Sequence, residues 1–175
     1  MKRLPEETLQ EKIQERLSAK GITIEKEILD RALSLIVERI EKFEDITLML
    51  ESGELDFLFK DPEYDPSKLL WKGTSKETTR KHLEKIIEEL KVLKYFEDGP
   101  MPANQIDRKT TIHGLVFGYV RKEPRENGIG EVLWPIRVAL TGRDKSPDPI
   151  EIIAIIGKEK TLARLHKAIE LLSHQ

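Results

Sequence analysis

Apolar residues recur along this chain at helical spacing, and almost nowhere in strict alternation. Leu9, Ile13 and Leu17 repeat every four residues and stop at Gly21, a residue suited to the turn that follows a helix. Thr23 is placed to cap a second, longer helix with Glu25 and Glu27 in its first turn. Its apolar stripe runs through Ile28, Leu29, Ala32, Leu33, Ile36, Val37, Ile40 and Phe43. A shorter apolar piece from Ile46 to Phe59 is interrupted at Ser52-Gly53. Asp61-Pro62-Glu63-Tyr64-Asp65-Pro66 is turn chemistry and predicts a loop or boundary.

Beyond it, Thr74-Ser75-Lys76-Glu77 is a capping box for a helix with Leu83, Ile86, Ile87, Leu90 and Leu93 inward, ended by the run Asp98-Gly99-Pro100-Met101-Pro102. The next helix, about Ala103 to Lys122, holds Gly114 and Gly118 on one face. Two such glycines cost helix propensity and predict a close helix–helix contact there. Pro124 to Gly130 is a loop. Pro135 opens a short helix that ends at Gly142. Asp148-Pro149-Ile150-Glu151 combines a cap, a first-turn proline and a capping-box glutamate, which favours helix over strand for the apolar run Ile150 to Ile156. A last helix, roughly Lys158 to Leu172, presents Leu162, Leu165, Ala168, Ile169 and Leu172. The expected fold is all-α: two packed helical subdomains, residues 1–70 and 71–175, without internal repeat or low-complexity tract.

Composition narrows the classes. Of 175 residues, 38% are hydrophobic and 35% charged, a globular balance rather than a disordered one. Without cysteine, neither a disulfide framework nor a thiolate metal site can form. No apolar stretch reaches membrane-span length, so a cytoplasmic protein without membrane contact is expected. The net charge of −2 argues against a simple basic-patch nucleic-acid binder. It is unevenly spread: residues 1–100 carry 18 Lys/Arg against 23 Asp/Glu, and residues 101–175 carry 12 against 9. The basic C-terminal part could face a polyanion.

Catalytic chemistry finds no foothold, and no catalytic or metal-ligating residue is assigned. His82, His113, His166 and His174 share no metal-ligand spacing and read as surface or partly buried helix residues. Gly128-Ile129-Gly130 lacks the third glycine and the preceding strand of a nucleotide loop. Lys72-Gly73-Thr74-Ser75-Lys76 superficially resembles the Lys-x-Ser-Lys loop of class I synthetases, but has one residue too many and sits on a capping box. Glu88-Glu89 is a solvated pair.

Residues 131–170 carry a longer pattern. Trp134-Pro135-Ile136-Arg137-Val138-Ala139-Leu140-Thr141-Gly142 is followed by Ser146-Pro147, then Ile150-Glu151-Ile152, then Ile156-Gly157-Lys158-Glu159 and Leu162-Ala163-Arg164-Leu165. This ordered run closely resembles the C-terminal anticodon-binding region of bacterial glutamyl-tRNA synthetases, with Ile136 and Ile150 replacing a commoner leucine and phenylalanine. A weaker resemblance covers Leu35 to Asp45 and Phe57-Leu58-Phe59-Lys60. The loop from Arg121 to Gly130 looks longer than in compact family members. The family's catalytic motifs, of His-Ile-Gly-His and Lys-Met-Ser-Lys-Ser type, are absent, so the chain reads as an excised C-terminal piece.

The resemblance implies a helical-cage module that grips the anticodon loop of tRNA(Glu) for a glutamate–tRNA ligase. It implies no cofactor in this piece; ATP and Mg would belong to the missing catalytic domain. Arg137 stands at an anticodon-contacting arginine of the pattern, and a planar guanidinium can stack on a base and bond its edge. Ser146, Pro147 and Pro149 form a rigid loop expected to meet a base, and also to cap the following helix. Arg39 matches more loosely a family arginine that reads one anticodon base; a solvated helix arginine is its other reading. Arg143, Lys145, Lys158 and Arg164 are expected phosphate neighbours. Trp134 could stack on a base but is better placed as a packing residue. A monomer that binds RNA and not DNA is expected. The rival is a free-standing helical protein- or RNA-interaction module without synthetase activity.

Overall fold

A computed structural model describes residues 6–93, 105–123 and 127–174. Among them every regular element is helical, as expected: α1 (Glu6–Ala19), α2 (Lys26–Val37), α3 (Glu44–Glu51), α4 (Lys76–Val92), α5 (Gln105–Lys122), α6 (Gly130–Thr141) and α7 (Pro149–Ser173), with short 3-10 turns at Asp56–Leu58 and Pro66–Leu69. The chain divides into two compact units, Met1–Lys60 and Asp61–Gln175. Residues 61–70, grouped with the first subdomain on turn chemistry, pack with the second. Leu69 is fully buried, Trp134 Nε1 donates to the Lys68 carbonyl at 2.7 Å, and the 3-10 turn lies against α6 and α7.

In the first unit, the α1 stripe Leu9, Ile13 and Leu17 is buried, and Gly21 at φ 69 ends the helix as expected. The Ile22 amide bonds the Leu17 carbonyl and the Gly21 amide bonds the Ser18 carbonyl, the paired closure of a Schellman turn. Thr23 is not the cap of α2. That position belongs to Glu25, whose side chain makes no capping bond. The stripe expected to run on to Phe43 breaks after Val37 for a local reason. The Asp45 carboxylate accepts the amides of Glu41 and Lys42 at 2.8 and 3.0 Å, folding 41–43 into a turn before α3. Those two amides hold the Asp45 carboxyl below its ordinary range. Ile40, Ile46, Met49 and Leu50 still reach the core.

In the second unit, α4 is capped one residue later than the Thr74-x-x-Glu77 box implies: Ser75 is the cap and accepts the Thr78 amide at 3.1 Å. Its inward residues Leu83, Ile86, Ile87 and Leu90 are buried, each contributing about 1.5–3 kcal/mol. Helix α4 ends at Val92, with Leu93 as a half-buried C-cap and not an inward helical residue, short of the expected stop at residues 98–102, which lies outside the described residues. Helix α6 begins at Gly130, five residues before Pro135, so the proline is interior. It removes the amide that would bond the Glu131 carbonyl. Asp148 caps α7 by accepting the Ile150 amide at 2.8 Å, with Pro149 in the first turn. Helix α7 contains one non-helical residue, Gly157 (φ 84, ψ 177), which separates the apolar segment 149–156 from the amphipathic segment 158–173. It packs against α4, α5 and α6.

Gly114 and Gly118 do not mark a helix contact. A Cβ built at either would meet no described atom within 4 Å, and Gly114 is exposed. Gly142 is the opposite case: at φ 68, its Cβ would stand 2.9 Å from the Glu63 carbonyl oxygen and 3.4 Å from Pro62 Cβ. Gly73 shares the left-handed conformation (φ 83) but has open space around it.

These environments order three substitutions. Gly114→Ala should stabilise the protein by about 0.5–1 kcal/mol, because it lowers unfolded-chain entropy in a helix interior. Gly73→Ala should cost about 1–2 kcal/mol, the left-handed penalty alone. Gly142→Ala should cost more than Gly73→Ala, since the Glu63 backbone must also move. Denaturant unfolding of the three variants checks the order; equal costs at 73 and 142 would mean the Glu63 contact carries no weight.

Candidate functional site

The residues singled out between 137 and 149 converge where α6 turns into α7. Gly142 closes α6 by donating its amide to the Val138 carbonyl at 2.7 Å. The Thr141 hydroxyl donates to the Arg137 carbonyl at 2.8 Å and accepts the Arg143 amide at 3.2 Å. The chain is thereby turned so that Arg143, Asp144 and Lys145 stand exposed at the tip. Lys68 meets Asp144 at 3.8 Å. Ser146 then comes back under α6.

Arg137 binds this returning strand. Its Nη1 donates to the Ser146 carbonyl at 2.9 Å and to Ser146 Oγ at 3.2 Å, while Oγ itself donates to the Pro147 carbonyl at 2.9 Å. Both of these Arg137 bonds leave from Nη1. The half-buried side chain keeps Nε and Nη2 for another acceptor, since no hydrogen bond within the described residues uses them. Pro147 and Pro149 are buried, which fixes the loop from below. Hydrogen bonds therefore join Arg137, Ser146 and the Pro147 carbonyl, and Pro149 follows as the buried first-turn residue of α7.

Trp134 lies one helical turn before Arg137 on α6. It is half-buried against Trp71, with ring centroids 5.1 Å apart and planes at 45°. Each indole N–H is committed: Trp134 to the Lys68 carbonyl and Trp71 to the Asn127 carbonyl at 3.2 Å. Trp134 is thus a packing residue, the assignment favoured from sequence. Its partner Trp71 had no local signal to announce it.

The four candidate phosphate neighbours separate by burial. Arg143 and Lys145 are exposed at the loop tip. Lys158 instead closes the end of α4, donating to the Lys91 carbonyl at 2.9 Å and the Leu93 carbonyl at 3.4 Å. Arg164 is interior, at 4% exposure. Its Nη1 donates to the Leu140 carbonyl at 2.9 Å and its Nε to Asp61 Oδ1 at 3.4 Å. Burial lowers the guanidinium's proton affinity and Asp61 opposes that shift. Arg164 is not a surface cation available to a phosphate. Arg39 lies in the first unit, just past α2, where it donates to the Leu35 carbonyl at 3.0 Å and meets Glu54 at 3.6 Å.

A polar network supports the start of α6. Glu131 Oε1 accepts the Asn127 amide and side-chain Nδ2 at 3.0 and 2.8 Å, and its other oxygen lies 3.8 Å from His82 Nε2. His82 Nδ1 meets the Tyr119 hydroxyl at 2.7 Å. His82 and Glu131 are 3% and 4% exposed. His82, expected as a surface or partly buried helix residue, is instead almost wholly enclosed on the core face of α4. His113 stacks on Phe117 at 4.2 Å within α5, and no group of three or more metal-ligating side chains gathers among the described residues. No described helix is long and apolar enough to cross a membrane.

Tyr119 gives this network a pH signature. Burial, reinforced by the Glu123 carboxylate, pushes its hydroxyl up to about 12 from an ordinary 10.0. Burial does the same for Tyr64. A raised folded-state pKa means the contribution is full below pH 10 and lost as pH rises towards 12. Near-ultraviolet titration of phenolate should show two tyrosines ionising about two units late, and Tyr119→Phe should remove one of those steps. That variant should also cost about 1–3 kcal/mol, because His82 loses a buried partner. Ordinary titration of every tyrosine would contradict this environment.

Comparison with known proteins agrees with this architecture. A family profile described as "Anticodon binding domain" matches residues 7–169. A glutamate–tRNA ligase of Christiangramia forsetii is 31% identical over 168 residues, covering 95% of this chain and 29% of the relative. One from Lachnoclostridium phytofermentans is 32% identical over 142 residues, covering 79% and 25%. The chain thus spans between a quarter and a third of these relatives' length. The crystal structure of a glutamate tRNA ligase from Elizabethkingia meningosepticum in complex with its amino acid shares the fold, with TM-score 0.69 and 23% identity over 95% of this chain and 29% of that one.

Proposed function

The chain belongs to the anticodon-binding domain family, and we propose that it reads the anticodon loop of tRNA(Glu) as the recognition portion of a glutamate–tRNA ligase. The observation that carries this reading is the Arg137–Ser146 clasp. It sets a guanidinium with uncommitted donors beside a proline-rigidified loop whose tip exposes Arg143 and Lys145. Sequence-specific readers of single-stranded RNA meet splayed bases with pre-positioned donors, and a held guanidinium loses little entropy on binding. The exposed cations at the tip would take the backbone, and Arg39 remains a candidate second reading position. Lys158 and Arg164 are not carried into this role, because their donors serve the fold.

Activation of glutamate with ATP and Mg, and its transfer to tRNA, would fall to residues other than these. We take the acting species to be a cytoplasmic monomer. On its own the chain should give no glutamate-dependent pyrophosphate exchange. It should bind a tRNA(Glu) anticodon stem-loop with salt-dependent affinity, each phosphate contact adding about 0.7 to the logarithmic slope.

Arg137→Ala should cost about 1–3 kcal/mol of binding and blur discrimination at one base. Arg137→Lys should recover general affinity but not discrimination, since lysine keeps the charge and loses the planar fork. Titration with cognate and single-base-changed stem-loops checks both. A folded wild-type chain that cannot tell them apart would overturn the reading and favour a protein-interaction module.

A further inference from the structure

Arg164 occupies an unusual place for a charged side chain. It is almost fully enclosed, on the amphipathic segment of α7, with its donors on the Leu140 carbonyl and the Asp61 carboxylate. What it holds is the last turn of α6. The final carbonyls of a helix have no partner within it. Here Gly142 takes that of Val138 and Arg164 takes that of Leu140. The same guanidinium reaches Asp61, the residue before the Pro62-Glu63 backbone on which Gly142 is seated. One side chain therefore ties together the end of α6, the segment that covers the turn, and α7.

Resting on the reading above, we propose that Arg164 is a positioning residue for anticodon discrimination: it holds the α6 terminus so that Arg137 and Ser146 keep the geometry in which a base is read. Leu140 is one helical turn beyond Arg137, and the hydrogen-bonded sequence from there runs through Thr141 and Gly142 to Arg143. Losing the Leu140 bond frees that turn at the point where the loop departs. Base reading needs donors placed within a fraction of an ångström, whereas general electrostatic attraction to phosphate does not. The expected signature is loss of specificity with little loss of charge-driven binding.

Arg164→Met keeps most of the buried stem and removes every donor. Measured at a temperature where circular dichroism shows it folded, it should lose about tenfold in discrimination between the cognate anticodon stem-loop and single-base-changed ones. The salt slope of binding should stay that of wild type. A phosphate contact would instead lower the slope and weaken all sequences equally, and that result overturns the proposal. Arg164→Lys, which restores one donor, should recover part of the discrimination.

If Arg164→Met fails to fold, Asp61→Asn decides the matter. Asp61 is exposed, and the substitution weakens the anchor while leaving the arginine in place. It should reduce discrimination in the same direction by a smaller factor; no change overturns the proposal. Hydrogen exchange of the Gly142 and Arg143 amides reads the same clasp without RNA. It should quicken at least tenfold in Arg164→Met or, failing that, measurably in Asp61→Asn. Unchanged protection refutes the positioning role even if RNA binding proves absent, in which case the functional reading fails separately.

Discussion

The second unit turns on one backbone reversal. Gly142 takes a left-handed conformation that ends α6 and lays its Cα against the Glu63 carbonyl, where a Cβ would stand only 2.9 Å away. Every bond of the α6–α7 loop is referred to that point. The Thr141 hydroxyl meets the Arg143 amide only because the chain has already turned, and Ser146 comes within reach of Arg137 for the same reason. The cap at Asp148 then starts α7 without further slack. The seven residues between the two helices, Gly142 to Asp148, are consequently as constrained as the helices.

Burial of charge supports that turn from two sides. Glu131 and His82 lie under the start of α6, and Arg164 lies under its end. Taking such groups from water costs several kcal/mol each unless hydrogen bonds replace the lost solvent. Asn127, Tyr119, Leu140 and Asp61 supply those bonds. Apolar packing of α6 on α7 could tolerate small slides; directional bonds to a single carbonyl or carboxylate do not. Polar burial thus contributes uniqueness of geometry to a core whose cohesion is hydrophobic.

The same division sorts the cations around the site. In the amino-acid string, Arg143, Lys145, Lys158 and Arg164 look alike. In the fold, two face solvent, one satisfies the carbonyls at the end of α4 and one is enclosed. Cations that stand close together in the sequence therefore serve two ends: some face solvent, and some hold the fold together.

Much of this was written locally. Helical class, a cap at the start of α4 to within one residue, the cap at Asp148 and the stop at Gly21 follow from spacing and side-chain capping chemistry, because they depend on residues only a few positions apart. The true start of α6 was hidden, since a proline is a first-turn residue in most helices and α6 accommodates one in its interior. The break after Val37 depended on the Asp45 carboxylate competing for two amides, which an apolar stripe cannot reveal. Gly114 and Gly118 suggested a contact that only the path of α5 could deny. The interior place of Arg164, the Trp71 partner of Trp134 and the seating of Gly142 on Glu63 join residues tens of positions apart. No local rule encodes which distant segments meet; packing of the whole second unit decides it.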